Sequence, residues 1–348
     1  MSRFLPILLL FLLFVSCSRT SNAGLSDTEA ETASVASPTP GTASLPEAKP
    51  DTELQKQLER IAAEAKGKVG VYALLIETGA AAGLNADQHF PMQSVYKLPI
   101  SMAVMQQVEA GKINLEEKAG VAKSDFVSPG QHSPIRDKYP NGTELSVKEL
   151  IQYAISESDG TASDVLLELA GGPTAVQKYL SDIGITDFIV ADSEKQISKD
   201  WETQYRNWAT PRASIALLRE VEFGDSLSDQ TRRLLLECLT DSNTGRRRLR
   251  AGLPSGTPFA HKTGTGGTKD GVTGATNDIG IITTPEGKHI AIAVYIADST
   301  DDGWTREQLM SDITRLVWYR WVGGEIDPYT QIREKNRTRA EQKKEKSS

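Results

Sequence analysis

Gln93-Ser94-Val95-Tyr96-Lys97 begins two residues after Pro91 and opens an apolar run, residues 98–108, with helical spacing. On a helix, positions three apart share a face, so the Ser94 hydroxyl and the Lys97 amine can lie side by side. At a helix N-terminus the unpaired backbone N–H groups and the dipole favour developing negative charge. A serine nucleophile with a basic neighbour fits such a place. Alone the pattern says little, because an N-cap serine near a solvated lysine is its ordinary meaning. Pro99 stands about one turn into the run, where it removes a backbone donor. That costs at most one hydrogen bond if the helix starts at Ser94 or Val95.

On the N-terminal side, residues 52–65 have helical spacing, and residues 69–76 and 80–84 read as strands around a Thr78-Gly79 turn. On the C-terminal side, residues 120–145 are polar and rich in Pro and Gly, and read mostly as loop. Residues 146–156 are predicted helical, with Ser146 and Glu149 as a capping box. Helices follow over 161–169, 174–183, 211–222 and 228–239. Residues 185–208 show no sustained period, and a loop of that length in a compact domain is usually functional. From residue 259 the texture changes: 259–265, 275–284 and 289–297 read as strands, the last two joined by a hairpin at Pro285-Glu286-Gly287-Lys288. Residues 304–322 form a closing helix. Strands at both ends with helices between them predict an α+β fold. One antiparallel sheet is built from both chain ends and flanked by helices, and the central segment adds a mostly helical lobe.

The chain has 348 residues, 39% hydrophobic and 24% charged, with a net charge of −7. That balance argues against a protein built mainly to hold nucleic acid, and Arg246-Arg247-Arg248 is too short a run to suggest otherwise. Arg3 precedes an apolar run over 4–15, too short to span a bilayer but suited to a signal segment. It ends in Phe14-Val15-Ser16-Cys17, which resembles a bacterial lipoprotein cleavage site after which Cys17 carries lipid. Phe14 stands where leucine is usual, so ordinary signal cleavage stays open. The expected organisation is a signal peptide over 1–17, a disordered tether over 18–50, a catalytic domain over 51–325 and a charged tail over 326–348. The expected location is the periplasm, with the membrane touched only through lipid on Cys17. Cys238, the other cysteine, sits in an apolar helical context and reads as a buried small hydrophobe.

Three more short motifs follow the serine-lysine pair: Ser158-Asp159-Gly160 between two helices, Glu194 in the long loop, and His261-Lys262-Thr263-Gly264-Thr265 on a strand. Each has a plain structural meaning by itself: a cap, a solvated carboxylate, an exposed strand face with a bulge. Together and in this order they resemble the serine penicillin-recognising superfamily, and within it the class A β-lactamases. The likeness extends over residues 51–325. It includes Ser133-Pro134-Ile135-Arg136-Asp137, Gln204-Tyr205-Arg206-Asn207-Trp208 and residues 260–266, which are similar to a subgroup containing extended-spectrum cephalosporin-hydrolysing enzymes.

The resemblance implies hydrolysis of the β-lactam amide of penicillins and cephalosporins through a serine acyl-enzyme, conferring antibiotic resistance. It implies a monomer acting on a small molecule, with no cofactor and no metal. The four histidines, His89, His132, His261 and His289, show no paired ligand spacing. Ser94 is then the nucleophile and Ser158 passes a proton to the departing ring nitrogen. Either Lys97, or Glu194 through a water, takes the serine proton; the choice stays open. Glu194 serves deacylation. The backbone N–H groups of Ser94 and Thr265 form the oxyanion hole, and Lys262, Thr263 and Thr265 receive the substrate carboxylate. Arg248, fourteen residues before Lys262, matches a supporting arginine of some class A enzymes. Two positions depart from the pattern: Gly160 and Ser198 stand where asparagine is usual. The alternative is a D,D-peptidase-like or slowly deacylating penicillin-binding protein in which Glu194 is incidental; an acylated, tethered sensor is a further rival.

Overall fold

The computed structural model of the protein describes residues 47–323. The signal segment with Cys17, most of the tether and the tail from 326 lie outside the described residues. A seven-stranded sheet carries the molecule. Its order runs Lys49–Pro50, Ala80–Leu84, Lys68–Leu75, His289–Ser299, Val272–Thr283, with Phe259–Thr265 and Thr268–Lys269 both paired to the last of these. The two chain ends therefore meet in the middle of the sheet, where Lys68–Leu75 pairs antiparallel with His289–Ser299.

Both faces of the sheet are covered, which is why its strands read as nearly continuous apolar runs. Side chains alternate between the faces. Tyr72 and Leu74 enter one core with Ala291, Ala293 and Tyr295. Val69, Val71, Ala73 and Leu75 enter the other with Ile290, Ile292, Val294 and Ile296. The second core is closed by the first helix, Thr52–Ala62, and the last, Gly303–Trp321, through Leu54, Leu58, Ile313 and Leu316. Asp51 caps the first helix by accepting from Leu54 N, and its other oxygen takes Arg320 Nε at 2.7 Å and Trp321 Nε1 at 3.1 Å, tying the two helices together.

The first core holds the helical lobe around Lys97–Glu109. Residues from Lys97 to Met105 are buried on every side of that helix. A helix apolar all round belongs inside a lobe of other helices, and Val147–Ile155, Gly160–Ala170 and Pro173–Asp182 pack around it. The α-helix starts at Lys97, and Ser94 lies in a 3-10 turn over Gln93–Tyr96 that precedes it. This explains Pro99, which falls in the first α-helical turn where its missing N–H would have no intrahelical partner.

Two sequence expectations need correction. The tether does not run to Pro50: Lys49–Pro50 pairs in parallel with Ala80 and Ala81, so the sheet is antiparallel except at this edge. Backbone bonds alone hold it, Lys49 N to Gly79 O and Asp51 N to Ala81 O, both 2.6 Å, and backbone pairing leaves no mark in side-chain pattern. Residues 120–145 are also less loop-like than expected. A hairpin pairs Lys118–Val121 with Thr143–Ser146, and Pro134–Lys138 forms a short helix. Elements of four or five residues are too short for periodicity to reveal.

Candidate active site

The turn that carries Ser94 is anchored on three sides. Asn277 Nδ2, from the long strand Val272–Thr283, donates to Pro91 O at 2.8 Å and Met92 O at 3.0 Å. Gly264 lets the strand Phe259–Thr265 come close: a Cβ there would stand 2.2 Å from Met92 O. Gln93 carries φ of +51°, a left-handed conformation that costs a non-glycine residue roughly 1 kcal/mol or more. Its side chain donates to Gln204 Oε1 at 2.9 Å, joining the turn to the long loop. Ser94 thus faces a cleft of about 800 Å³ that Lys97, Ser158, Glu194, Arg248, Thr263 and Thr265 also line.

Lys97 and Glu194 form a buried ion pair, Nζ to Oε1 at 2.9 Å, with side chains only 2% and 9% exposed. Lys97 also donates to Ser158 O at 2.7 Å. Burial, the largest single influence on Glu194, works to raise its pKa. The Lys97 charge and hydrogen bond, with Lys262 adding to them, outweigh it and hold the carboxyl below its ordinary value. Glu194 opens a short helix, Glu194–Ile197, that Ser193 and Gln196 close with a capping box. Gln131 Nε2 donates to Glu194 O at 2.6 Å and to Oε2 at 3.1 Å. Ser198, on the same wall, spends its hydroxyl proton on Lys195 O at 3.1 Å and keeps its lone pairs.

Asp164 went unseen in the sequence reading. It accepts from Glu194 N at 2.6 Å and Lys195 N at 3.0 Å, holding the glutamate in place from below. Burial pushes its carboxyl up to about 6, against the two backbone hydrogen bonds that favour the charge. The signal was present, since Asp164 lies one helical turn beyond Gly160 and shares its face. Asn207 entered the sequence analysis only as part of a matching stretch, with no role of its own. It accepts from Ala191 N and Asp192 N and donates to Asp192 O, zipping the neck of the loop that carries Glu194.

Ser158 also sits at positive φ, +58°. Asp159 fixes that turn, accepting from Ala162 N at 2.8 Å as a helix cap and from Ile135 N at 2.7 Å. The plain capping role is therefore true of Asp159, and the same turn presents Ser158 to the cleft. Lys262 donates to Ser158 Oγ at 2.8 Å and to Thr263 O at 3.2 Å. It is fully buried and stands one layer behind the cleft wall. Burial first, and the Lys97 charge second, press its pKa well below the usual lysine value. Arg248 is also buried, donating to Gly264 O, Asn277 O and, at 2.7 Å, Thr265 Oγ1. It orients the threonine hydroxyl, and Thr244 does the same for Thr263 through an Oγ1 to Oγ1 contact of 2.7 Å.

All the catalytic residues expected from sequence thus come together, and the carboxylate-binding residues line or back one wall. Gly160, which stands where asparagine is usual, borders the same site. Its N–H donates to His132 O at 2.9 Å, and a Cβ would lie 3.2 Å from that oxygen and 3.4 Å from Glu194 Cγ. An asparagine there needs its neighbours to give by a few tenths of an ångström, but it would add an amide oxygen able to accept from Lys97 and an N–H able to donate to a substrate carbonyl. Gly160→Asn is expected to change kcat/KM for cephalosporins by roughly tenfold or more, the worth of one buried hydrogen bond. Steady-state kinetics showing less than about a twofold effect would mean that no contact is missing at this position.

A serine in a strained turn, a buried lysine-glutamate pair and a second lysine under a hydroxyl meet at one cleft, an arrangement suited to an acyl-transfer hydrolase. The chain belongs to the β-lactamase enzyme family, whose model matches residues 53–321, and is a β-lactam hydrolase of class A. It is 38% identical to β-lactamase VEB-1 of Pseudomonas aeruginosa over 267 residues, covering 76% of this chain and 89% of that one. The extended-spectrum β-lactamase PER-1 of Pseudomonas aeruginosa is 37% identical, covering 76% and 86%. Among solved structures, a β-lactamase from Chitinophaga pinensis superposes with a TM-score of 0.75 at 40% identity, covering 77% and 99%. The TLA-3 extended-spectrum β-lactamase does so with 0.76 at 39%, covering 78% and 99%.

Proposed function

We propose that Ser94 opens the β-lactam ring and that Glu194 drives both halves of the reaction. The Ser94 oxygen attacks the strained carbonyl carbon while Glu194, through a bridging water, takes the serine proton. Of the two candidate bases, Glu194 is the one held as a carboxylate, whereas Lys97 spends its protons on Glu194 Oε1 and Ser158 O. As the ring C–N bond breaks, Ser158 gives its hydroxyl proton to the nitrogen, with the Lys262 ammonium hydrogen-bonded to its oxygen. The proton that Glu194 took returns to Ser158 by way of Lys97, which bridges the two residues, so Glu194 is a carboxylate again. Backbone N–H groups of Ser94 and Thr265 stabilise the oxyanion. The hydroxyls of Thr263 and Thr265, backed by Lys262 and oriented by Thr244 and Arg248, receive the substrate carboxylate. Water activated by Glu194 then attacks the acyl ester, and the serine leaves with a proton.

One observation carries this reading: the Glu194 carboxylate is locked to Lys97 in the cleft that Ser94 lines. A peptidase-like enzyme in which the glutamate is incidental would not need the donors from Gln131 and the Asp164 clamp that fix it. The test is intact-mass analysis during hydrolysis of a penicillin and a cephalosporin. The wild-type enzyme should show a transient adduct that maps to Ser94, and Ser94→Ala should show neither adduct nor turnover. Turnover surviving in Ser94→Ala would overturn the serine mechanism.

A further inference from the structure

His261 and Asp278 form a buried pair that the proposed chemistry leaves unused. His261 Nδ1 lies 2.8 Å from Asp278 Oδ1, and both residues are 0% exposed. In the register of the two strands Asp278 stands opposite Thr263, and Gly280 opposite His261. Alternation therefore puts His261 and Asp278 on one face and Lys262 on the other. The pocket is built for the imidazole: it stacks on Phe259 at 4.5 Å, and a Cβ at Gly280 would stand 2.7 Å from His261 Cβ.

A buried carboxylate is costly, and apolar residues of similar volume are often as stabilising as a buried ionic pair. Here the pair is not even fully satisfied: His261 Nε2 and Asp278 Oδ2 have no hydrogen-bond partner among the described residues. We propose that His261 and Asp278 are positioning residues for the reaction: His261 donates Nδ1–H to the Asp278 carboxylate, and this negative charge, on the opposite face of the strand, keeps Lys262 an ammonium behind the hydroxyls that receive the substrate carboxylate. An ionised carboxylate only accepts, so the Nδ1 that faces it carries a proton.

The surrounding charges agree. Burial, then Lys97, depress the Lys262 pKa; among the charges that raise it, Asp278 acts more strongly than Glu194, while Arg248 again lowers it. On the Asp278 face stand Arg248, and Arg250, whose guanidinium lies 5.4 Å from the Phe259 ring. The last helix adds Arg306, bonded to Thr276 Oγ1, and Glu307, paired to Arg247 and Arg248. On the Lys262 side stand Lys97 and Glu194. The helix Asp229–Thr240, packed on the strand, brings Glu237 and Cys238, and burial lifts the thiol to about 11.

The proposal rests on the assignment of Lys262 to the substrate carboxylate, and the experiment separates the two. The full chain and its Asp278→Asn and His261→Phe variants are compared by kcat and KM for a penicillin across the pH range. Both variants should raise KM about fivefold or more, with kcat changed less than about twofold, as a weakened charge-assisted contact requires. The alkaline limb of kcat/KM should move down by roughly half a pH unit or more, because Lys262 loses its supporting charge. His261→Phe keeps the ring stack and removes only the donor, so it carries the same reading if Asp278→Asn does not fold. In a Lys262→Arg background the guanidinium stays charged, and adding Asp278→Asn should leave the alkaline limb in place. A lowered melting temperature with KM and limb unchanged would make the pair merely structural and overturn the proposal. A limb shift that persists with Lys262→Arg would overturn it too. A Lys262→Arg enzyme whose own limb matches the wild type would overturn the assignment of Lys262, and this proposal with it.

Discussion

Glu194→Gln should stop the reaction halfway, with acyl-enzyme accumulating on Ser94. Glutamine matches the glutamate in shape and can keep the Gln131 and Asp164 contacts, but it cannot accept a proton at neutral pH. Losing a positioned general base typically costs ~10²–10⁴ in rate. Both steps slow, but the deacylation step has no strained ring to drive it, so it should suffer more. Mixing the variant with a good cephalosporin should give a burst followed by near-silence, and intact mass should show a persistent adduct on Ser94. Rapid turnover with no trapped adduct would sink the assignment of Glu194.

Lys97→Met should damage both stability and catalysis. Methionine preserves length and apolar contact while deleting the cation that compensates Glu194. Breaking a buried ion pair by removing one partner costs about 3–5 kcal/mol at neutral pH. The sign of the pH dependence follows from the glutamate. In the wild type its folded value lies below 4.5, so its contribution to stability is present above that value and is lost as the pH falls through the depressed one. Without Lys97 the two strongest influences opposing burial are gone and the value rises, so the variant gains relative stability as acid protonates the carboxyl. Thermal melts at about pH 7 and about pH 4.5 should therefore show a deficit that narrows on acidification. An equal deficit at both would mean that the pair is not ionised. Hydrolysis should be nearly lost at neutral pH, since the same cation also holds Ser158 O.

Much of the architecture was legible along the chain because its cause is local. The apolar runs of Lys68–Leu75 and His289–Ser299, the Ser146–Glu149 capping box and the Asp159 cap all act within a few residues. The edge strand Lys49–Pro50 and the hairpin of Lys118–Val121 with Thr143–Ser146 were not, because backbone bonds to distant segments make them.

The site divides in the same way. Ser94, Lys97, Ser158, Glu194 and Lys262 could be named from short motifs, since the side chains that do chemistry must be particular residue types. The residues that hold them are ordinary in sequence: Asp164 beneath Glu194, Gln131 beside it, Asn277 under the nucleophile turn, Gln204 on Gln93. Their partners lie tens to hundreds of residues away, so no window of the chain shows which partner each of them meets.

By itself, then, the sequence determined which groups are candidates for the reaction and where the apolar helices and strands lie, because both depend on residue type and short-range spacing. Only the tertiary structure decided that Lys262 lies behind Ser158 and not in the open cleft, that Arg248 orients Thr265, and that Asp278 sits at the back of Lys262. Those facts depend on electrostatics at a few ångströms between segments that only the closed sheet brings into register.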